Sequence, residues 1–298
     1  MEFDRLLFER DWMGMDIESL NKQSFDLNWG KRKEGQYIHW TRGEAESQIQ
    51  FSFKNLWGVF QEICKSRYFN KGKRCLEVGC GRGSLSAYFC DSGYKCALLD
   101  KSNKAIEIAR RIFSDHNLKA DFVVGDVNDL PFENSMYDIV FSIGLLEHFK
   151  DIKIPIKEQI RVLDKGGLFI AYIVPENRDN VQKDYEWINE ILKGYVNQKF
   201  ENNFSKRRVS RTKYNSGKYV QVLKSQGVTS IRTSGVYPLP MISHSIEFPF
   251  TLMPAYSEKA LVRHFKKIMG VRGNESKKNP WFCDEAFGQA FMIWGFKS

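Results

Sequence analysis

The sequence predicts an α/β fold: a seven-stranded, mostly parallel sheet with helices on both faces, carrying helical insertions. Three observations lead there. Short β-branched and apolar runs alternate with segments of helical apolar spacing through the middle of the chain. The first of these runs, 74–79, passes straight into a glycine-rich turn and then a helix. No uncharged apolar stretch approaches bilayer length, since even 236–256 is broken by prolines, His244 and Glu247.

Taken in order, an amphipathic helix is expected over 45–68, where Ile49, Phe53, Leu56, Trp57, Phe60 and Ile63 recur at helical spacing. Three aromatic rings in Gln36-Tyr37-Ile38-His39-Trp40 precede it. Strands are then expected at 74–79, 95–100, 120–125, 137–143 and 167–174, with helices at 84–91, 102–116 and 147–163 between them. Strand, crossover helix, strand is the unit that builds a parallel sheet. After Pro175 the alternation stops: Tyr185, Ile188, Ile191, Leu192, Tyr195 and Val196 describe one apolar helix face within an insertion over 176–218. A helix at 218–226 and strands at 229–237 and 288–296 complete the sheet, and an apolar loop and a helix at 258–269 lie between those strands.

With 298 residues the chain can bury a full core. The formal charge of +9 favours anionic partners, but charge speaks to steering rather than identity, and basic runs such as Lys206-Arg207-Arg208 and Lys277-Lys278 read first as solvated surface. Six cysteines without a CxxC pair or a histidine at ligand spacing argue for free thiols in a reducing compartment and against a metal site. Glu2 and Asp4 stand where a secretory signal would need basic residues, so a cytoplasmic location is expected.

The chemistry centres on Leu76-Glu77-Val78-Gly79-Cys80-Gly81-Arg82-Gly83. Backbone passes close to a ligand at such a turn, and glycine alone allows that approach. The next strand ends in Asp100, whose carboxylate can accept from both hydroxyls of a ribose. The glycines fall as GxGxG, with Ser84 where a dinucleotide fingerprint needs its third glycine, which disfavours a pyrophosphate cradle.

These residues, with Gly125-Asp126-Val127, Tyr137-Asp138-Ile139-Val140, Leu146-Glu147-His148 and Arg161-Val162-Leu163-Asp164-Lys165-Gly166-Gly167, resemble the class I S-adenosylmethionine-dependent methyltransferases, whose sheet is Rossmann-like. The likeness covers about residues 70–176 well and the last two strands loosely. It implies S-adenosylmethionine as cofactor. Glu77, Gly79, Cys80, Gly81 and Gly83 would hold its methionine part, with Ser142 and Ile143 beneath, and Asp100 its ribose. Lys101 would flank the adenine, Asp126 would accept from the adenine amine and Val127 would donate its backbone N–H. The division that follows is 1–69 covering the cofactor site, 70–176 binding the cofactor, 177–218 a helical lid, and 219–298 completing the sheet with an apolar acceptor-site loop.

His148, expected at the C-terminal sheet edge, is the candidate general base; a capping or packing role competes. Tyr37 and Trp40 are candidates to close over the cofactor, and His39, Tyr185, Tyr237 and Phe250 to line the acceptor pocket, against the plainer reading of aromatic core packing. The stretch Ser142-Ile143-Gly144-Leu145-Leu146 lacks the Asn/Asp-Pro-Pro-aromatic motif of nucleic-acid amino methyltransferases. The insertion after the fifth strand and the loop 237–256 lie where the resembled family usually builds its acceptor pocket and are rich in aromatic and aliphatic groups, so an oxygen or nitrogen of a small molecule is the expected acceptor, with RNA or protein as the alternative and a non-catalytic cofactor-binding protein as the competing class. A homodimer interface is the competing use of the apolar segments.

Overall fold

The computed structural model describes residues 39–65, 72–176, 211–237, 255–275 and 279–298. Its elements run α1 (Gln48–Cys64), β1 (Arg74–Val78), α2 (Ser84–Asp91), β2 (Lys95–Asp100), α3 (Asn103–Asp115), β3 (Ala120–Val124), β4 (Tyr137–Ile143), a 3-10 turn (Leu146–His148), α4 (Lys153–Val162), β5 (Leu163–Ile173), α5 (Ser216–Ser225), β6 (Val228–Val236), α6 (Ala255–Glu275), β7 (Phe282–Cys283) and β8 (Ala290–Lys297). The predicted lid helix, the loop after Tyr237, Tyr37, Tyr185 and Phe250 lie outside the described residues.

The strands form one sheet in the order β3-β2-β1-β4-β5-β8-β6-β7. Neighbours from β3 to β5 are parallel; β8 runs antiparallel to both β5 and β6. The eighth strand, β7, pairs only Phe282 and Cys283 with β6, too short a stretch for periodicity to reveal. Alternation along β1 sends Cys75 toward the core beneath α1, α2, α3 and α6, and Leu76 and Val78 toward the core beneath α4 and α5. Both faces are covered, which is why these strands read as continuous apolar runs.

Local chemistry sets the helix ends. Ser47 caps α1 by accepting from the Gln50 N–H, and Ser102 caps α3 through Ala105. The helix expected at 147–163 is a 3-10 turn followed by α4. Pro155 fits only a helix's first turn, and the Asp151 carboxylate accepts from the Lys153 N–H where α4 begins. Strand order reverses at β1, with β2 and β3 on one side and β4 and β5 on the other, so a crevice forms beyond the C-terminal ends of β1 and β4. Among the described residues no helix is long and apolar enough to cross a membrane.

Candidate functional site

The glycine-rich turn follows β1 at that crevice. Gly79 and Cys80 donate their N–H groups to the Leu99 carbonyl at 2.8 and 2.9 Å, which ties the turn to the end of β2. Gly83 has φ +67°, and a Cβ there would stand 2.3 Å from Leu98 Cδ2, so the turn cannot tighten into α2 with any side chain at that position.

Asp100 closes the arrangement. One carboxylate oxygen accepts from the Gly81 N–H at 2.8 Å and the other from the Ser102 N–H at 2.9 Å. A carboxylate offers about four lone-pair sites. The two backbone bonds orient the carboxylate at the end of β2, where the resemblance places a ribose. At the end of β3, Asp126 accepts from the Lys101 ammonium at 2.9 Å and from the Asn128 N–H at 2.8 Å. Burial works to raise its pKa, but these two partners outweigh burial and hold it below the usual carboxylate range. The Lys101–Asp126 pair forms a charged wall where the resemblance puts adenine. Val127 is buried beneath it.

Glu77 lies on β1, two residues before Gly79. It is 3% exposed, and one oxygen accepts from the Ser86 Oγ at 2.5 Å and the Ser86 N–H at 3.2 Å. Burial pushes its pKa up to about 8. The carboxyl braces β1 against α2 and so supports the turn from behind. Cys80 is also buried, and burial raises its thiol pKa well above the ordinary value, which suits a packed turn residue.

On the other side of the crevice Ser142 and Ile143 end β4, with Ser142 in register with Val78, one residue before Gly79. His148 is half-buried in the 3-10 turn at this edge. Its neighbour Glu147 is 1% exposed and accepts from the Val174 N–H, and burial raises its pKa to about 7. The Glu147 carbonyl accepts from Thr212 and the Thr212 carbonyl from Glu176, so the two stems flanking 177–210 meet at this edge of the sheet.

The aromatic expectations divide. His39 lies near the turn: its Nδ1 is 2.8 Å from Ser84 Oγ, and its ring stacks on Phe53 at 5.0 Å. Trp40 is 4% exposed and packs on Tyr88 and on His116, the residue closing the far end of α3. Tyr237 lies under the Arg272 guanidinium at 3.7 Å, pinned beside the short β6–β7 pairing.

A narrow recess escaped sequence reading. Ser52, Phe53 and Leu56 of α1, Ile143, Tyr172 and Trp281 enclose it. Phe53 and Leu56 carried a periodic signal that marked them as core, whereas Trp281, set between Pro280 and Phe282 outside any periodic run, carried none. Ser86 was missed as well, because a tertiary hydrogen bond leaves no spacing to read. Among the described residues no cluster of side chains could hold a metal ion.

Residues 76–171 match the family described as methyltransferase domain. The chain is 34% identical over 127 residues to a ubiquinone biosynthesis O-methyltransferase of Pelagibacter ubique, covering 42% of this chain and 46% of that protein. It is 32% identical over 131 residues to a chloroplastic tocopherol O-methyltransferase of Arabidopsis thaliana, covering 43% of this chain and 37% of the relative. The chain thus spans less than half the length of these curated relatives. Over its whole fold it resembles the magnesium protoporphyrin IX methyltransferase of Synechocystis PCC 6803, with a TM-score of 0.54 at 13% identity, covering 94% of this chain and all of that one. The matched residues 76–171 run from β1 into β5, so it is over the parallel strands that the chain is similar to the methyltransferase-domain family.

Proposed function

We propose that the protein transfers a methyl group from S-adenosylmethionine to an oxygen or nitrogen of a small-molecule metabolite. The observation that carries the cofactor is the Asp100 carboxylate, fixed by the Gly81 and Ser102 N–H groups at the end of β2. The small-molecule acceptor is supported by the names of the relatives, a ubiquinone biosynthesis O-methyltransferase and a tocopherol O-methyltransferase.

When bound, the cofactor supplies a methyl already activated on a sulfonium. The chain's own work is then to bind, orient and exclude water. Asp100 would hold the ribose and the glycine turn the methionine end, while the Lys101–Asp126 wall would fix the adenine. His148 is the proposed general base for an acceptor that must lose a proton during attack.

The test is incubation of the full chain with labelled S-adenosylmethionine and a metabolite extract, and separately with RNA. Label should enter the small-molecule fraction; label only in RNA, or in neither, sinks the reading. In parallel, Asp100→Ala should weaken S-adenosylhomocysteine binding by about 1–3 kcal/mol. His148→Ala should keep that binding and slow turnover by roughly 10²–10⁴-fold.

A further inference from the structure

Helix α6 turns one face to the core and the other to solvent. Val262, Phe265 and Met269 are buried, Phe265 packs against Phe51 of α1, and Glu258 accepts from the Gln48 N–H, so the helix cannot roll about its axis. On the opposite face Tyr256, Arg263, Lys267 and Val271 are all exposed and follow one another at helical spacing. The helix has 21 residues, which makes the exposed face a straight ridge about 30 Å long.

The charge on this ridge is of one sign. Between Tyr256 and Asn274 the helix has a single carboxylate, the buried Glu258. Lys259, Arg263 and Lys267 stand four residues apart and are all exposed. Like charges at that spacing destabilise a solvated helix. Glu46 answers Lys259 at 3.1 Å, and Glu44 answers Lys266 at the side of the ridge. Exposed pairs of this kind are weak, and among the described residues no carboxylate pairs with Arg263 or Lys267. The repulsion along the ridge is relieved when it meets a negatively charged surface.

Tyr256 and Val271 are 76% and 56% exposed and bracket the cations. One exposed apolar side chain is ordinary. Two at the ends of a single cationic ridge suit a surface that offers both phosphates and an apolar margin, where tyrosine in particular settles. A nucleic-acid backbone offers the phosphates without that margin.

We propose that the outer face of α6 docks on a bilayer surface bearing anionic phospholipid headgroups, with Lys259, Arg263 and Lys267 toward the phosphates and Tyr256 and Val271 at the ends of the contact. The apolar face of the helix is committed to the core, so the contact is electrostatic and lies at headgroup level rather than in the hydrocarbon. It is independent of the methyl-transfer reading.

The test sediments the full chain with vesicles of phosphatidylcholine, with and without phosphatidylglycerol. The chain should pellet only with the phosphatidylglycerol vesicles, and about 0.5 M salt should release it. Each cation near such a surface strengthens binding by about five-fold, so Arg263→Ala combined with Lys267→Ala should weaken it by roughly ten- to thirty-fold. Glu44→Gln combined with Glu46→Gln should act in the opposite direction, strengthening it by about two- to five-fold. These positions are exposed, and far-UV circular dichroism checks that the variants keep the fold. No phosphatidylglycerol-dependent pelleting, equal pelleting of the Arg263→Ala/Lys267→Ala protein, or a loss confined to single-stranded RNA in a parallel titration overturns the inference. Calorimetry with S-adenosylhomocysteine separates the two readings: absent nucleoside binding would sink the cofactor, whereas unbound vesicles beside normal nucleoside binding would sink the docking surface alone.

Discussion

The parallel strands β3-β2-β1-β4-β5 and the antiparallel flank β8-β6-β7 with α1 and α6 are held together in different ways. In the parallel region each candidate cofactor residue sits at or within a few residues of a strand end, and its partners are near in sequence, as with Gly81 and Asp100, 19 positions apart. The flank is joined across the length of the chain. Glu258 of α6 accepts from the Gln48 N–H at the start of α1, 210 positions away, and Asn279 reaches Glu62, 217 positions away. The difference assigns the two regions different freedoms. The repeated strand-and-helix unit fixes the glycine-rich turn locally, while the flank is assembled from remote pieces that can vary without rebuilding the turn.

The largest expected effect comes from Gly83→Ala. Its backbone is left-handed at φ +67°, and the new Cβ would meet Leu98 at 2.3 Å and the Phe113 ring at 2.9 Å. The conformation costs about 1–2 kcal/mol and forced overpacking about 1–3 kcal/mol. Urea unfolding should therefore show a loss of roughly 2–5 kcal/mol. A variant within ~0.5 kcal/mol of the parent would mean that the turn tolerates rearrangement.

Next comes Glu258→Ala on the flank. The carboxylate is 4% exposed and meets the Gln48 backbone N–H at 2.9 Å. Its removal strands that donor, at a cost of about 1–3 kcal/mol. Hydrogen exchange should quicken in α1, with S-adenosylhomocysteine affinity unchanged. An equal fall in nucleoside affinity would show that the two regions are not separable.

This contrast also explains what could be read without coordinates. Strands β1 to β5, helices α2 and α3 and the glycine turn were legible because burial on both faces and crossover spacing impose patterns of a few residues. Helix α4 was misplaced because 147–163 mixes a 3-10 turn, Pro155 and the start of β5 in one apolar-rich run. The packing of Trp40 on Tyr88 and His116 was not legible, because an aromatic ring near a site and one packed on distant rings look alike in sequence. The recess depends on Phe53, Tyr172 and Trp281 meeting from three distant segments, and no local pattern encodes such a meeting.

A pH experiment probes the brace behind the turn. Burial raises Glu77 from 4.5 to about 8 in the folded protein. Between those values the folded state holds a proton that the unfolded chain has released, so this contribution is complete at low pH and is lost as pH rises through about 8. Glu77→Gln keeps a neutral group of similar shape. The stability difference between variant and parent should therefore shift in the variant's favour as pH is raised from 5 to 9, read from urea midpoints. A constant difference would mean that Glu77 titrates normally.

The smallest effect carries the opposite sign to the first and bears most directly on how the flank opens. Gly58 lies inside α1, exposed, and a Cβ added there meets nothing within 4 Å. Glycine inside a helix costs about 0.5–1 kcal/mol relative to alanine, because the unfolded backbone has more freedom to lose. Gly58→Ala should therefore stabilise by about that amount. Where the gain appears is the informative part. If the chain opens only as a whole, slow amides in β1 and β4 gain the same protection as those in α1. If α1 lifts off with α6 while the parallel strands stay closed, protection rises in α1 and leaves the β4 amides untouched. The Gln48–Glu258 junction at one end of α1 and the Asn279–Glu62 bond near the other favour the second outcome, because both tie α1 to the flank. An α1 that gains protection only together with β1 and β4 would mean that the flank and the glycine-rich turn open as one unit.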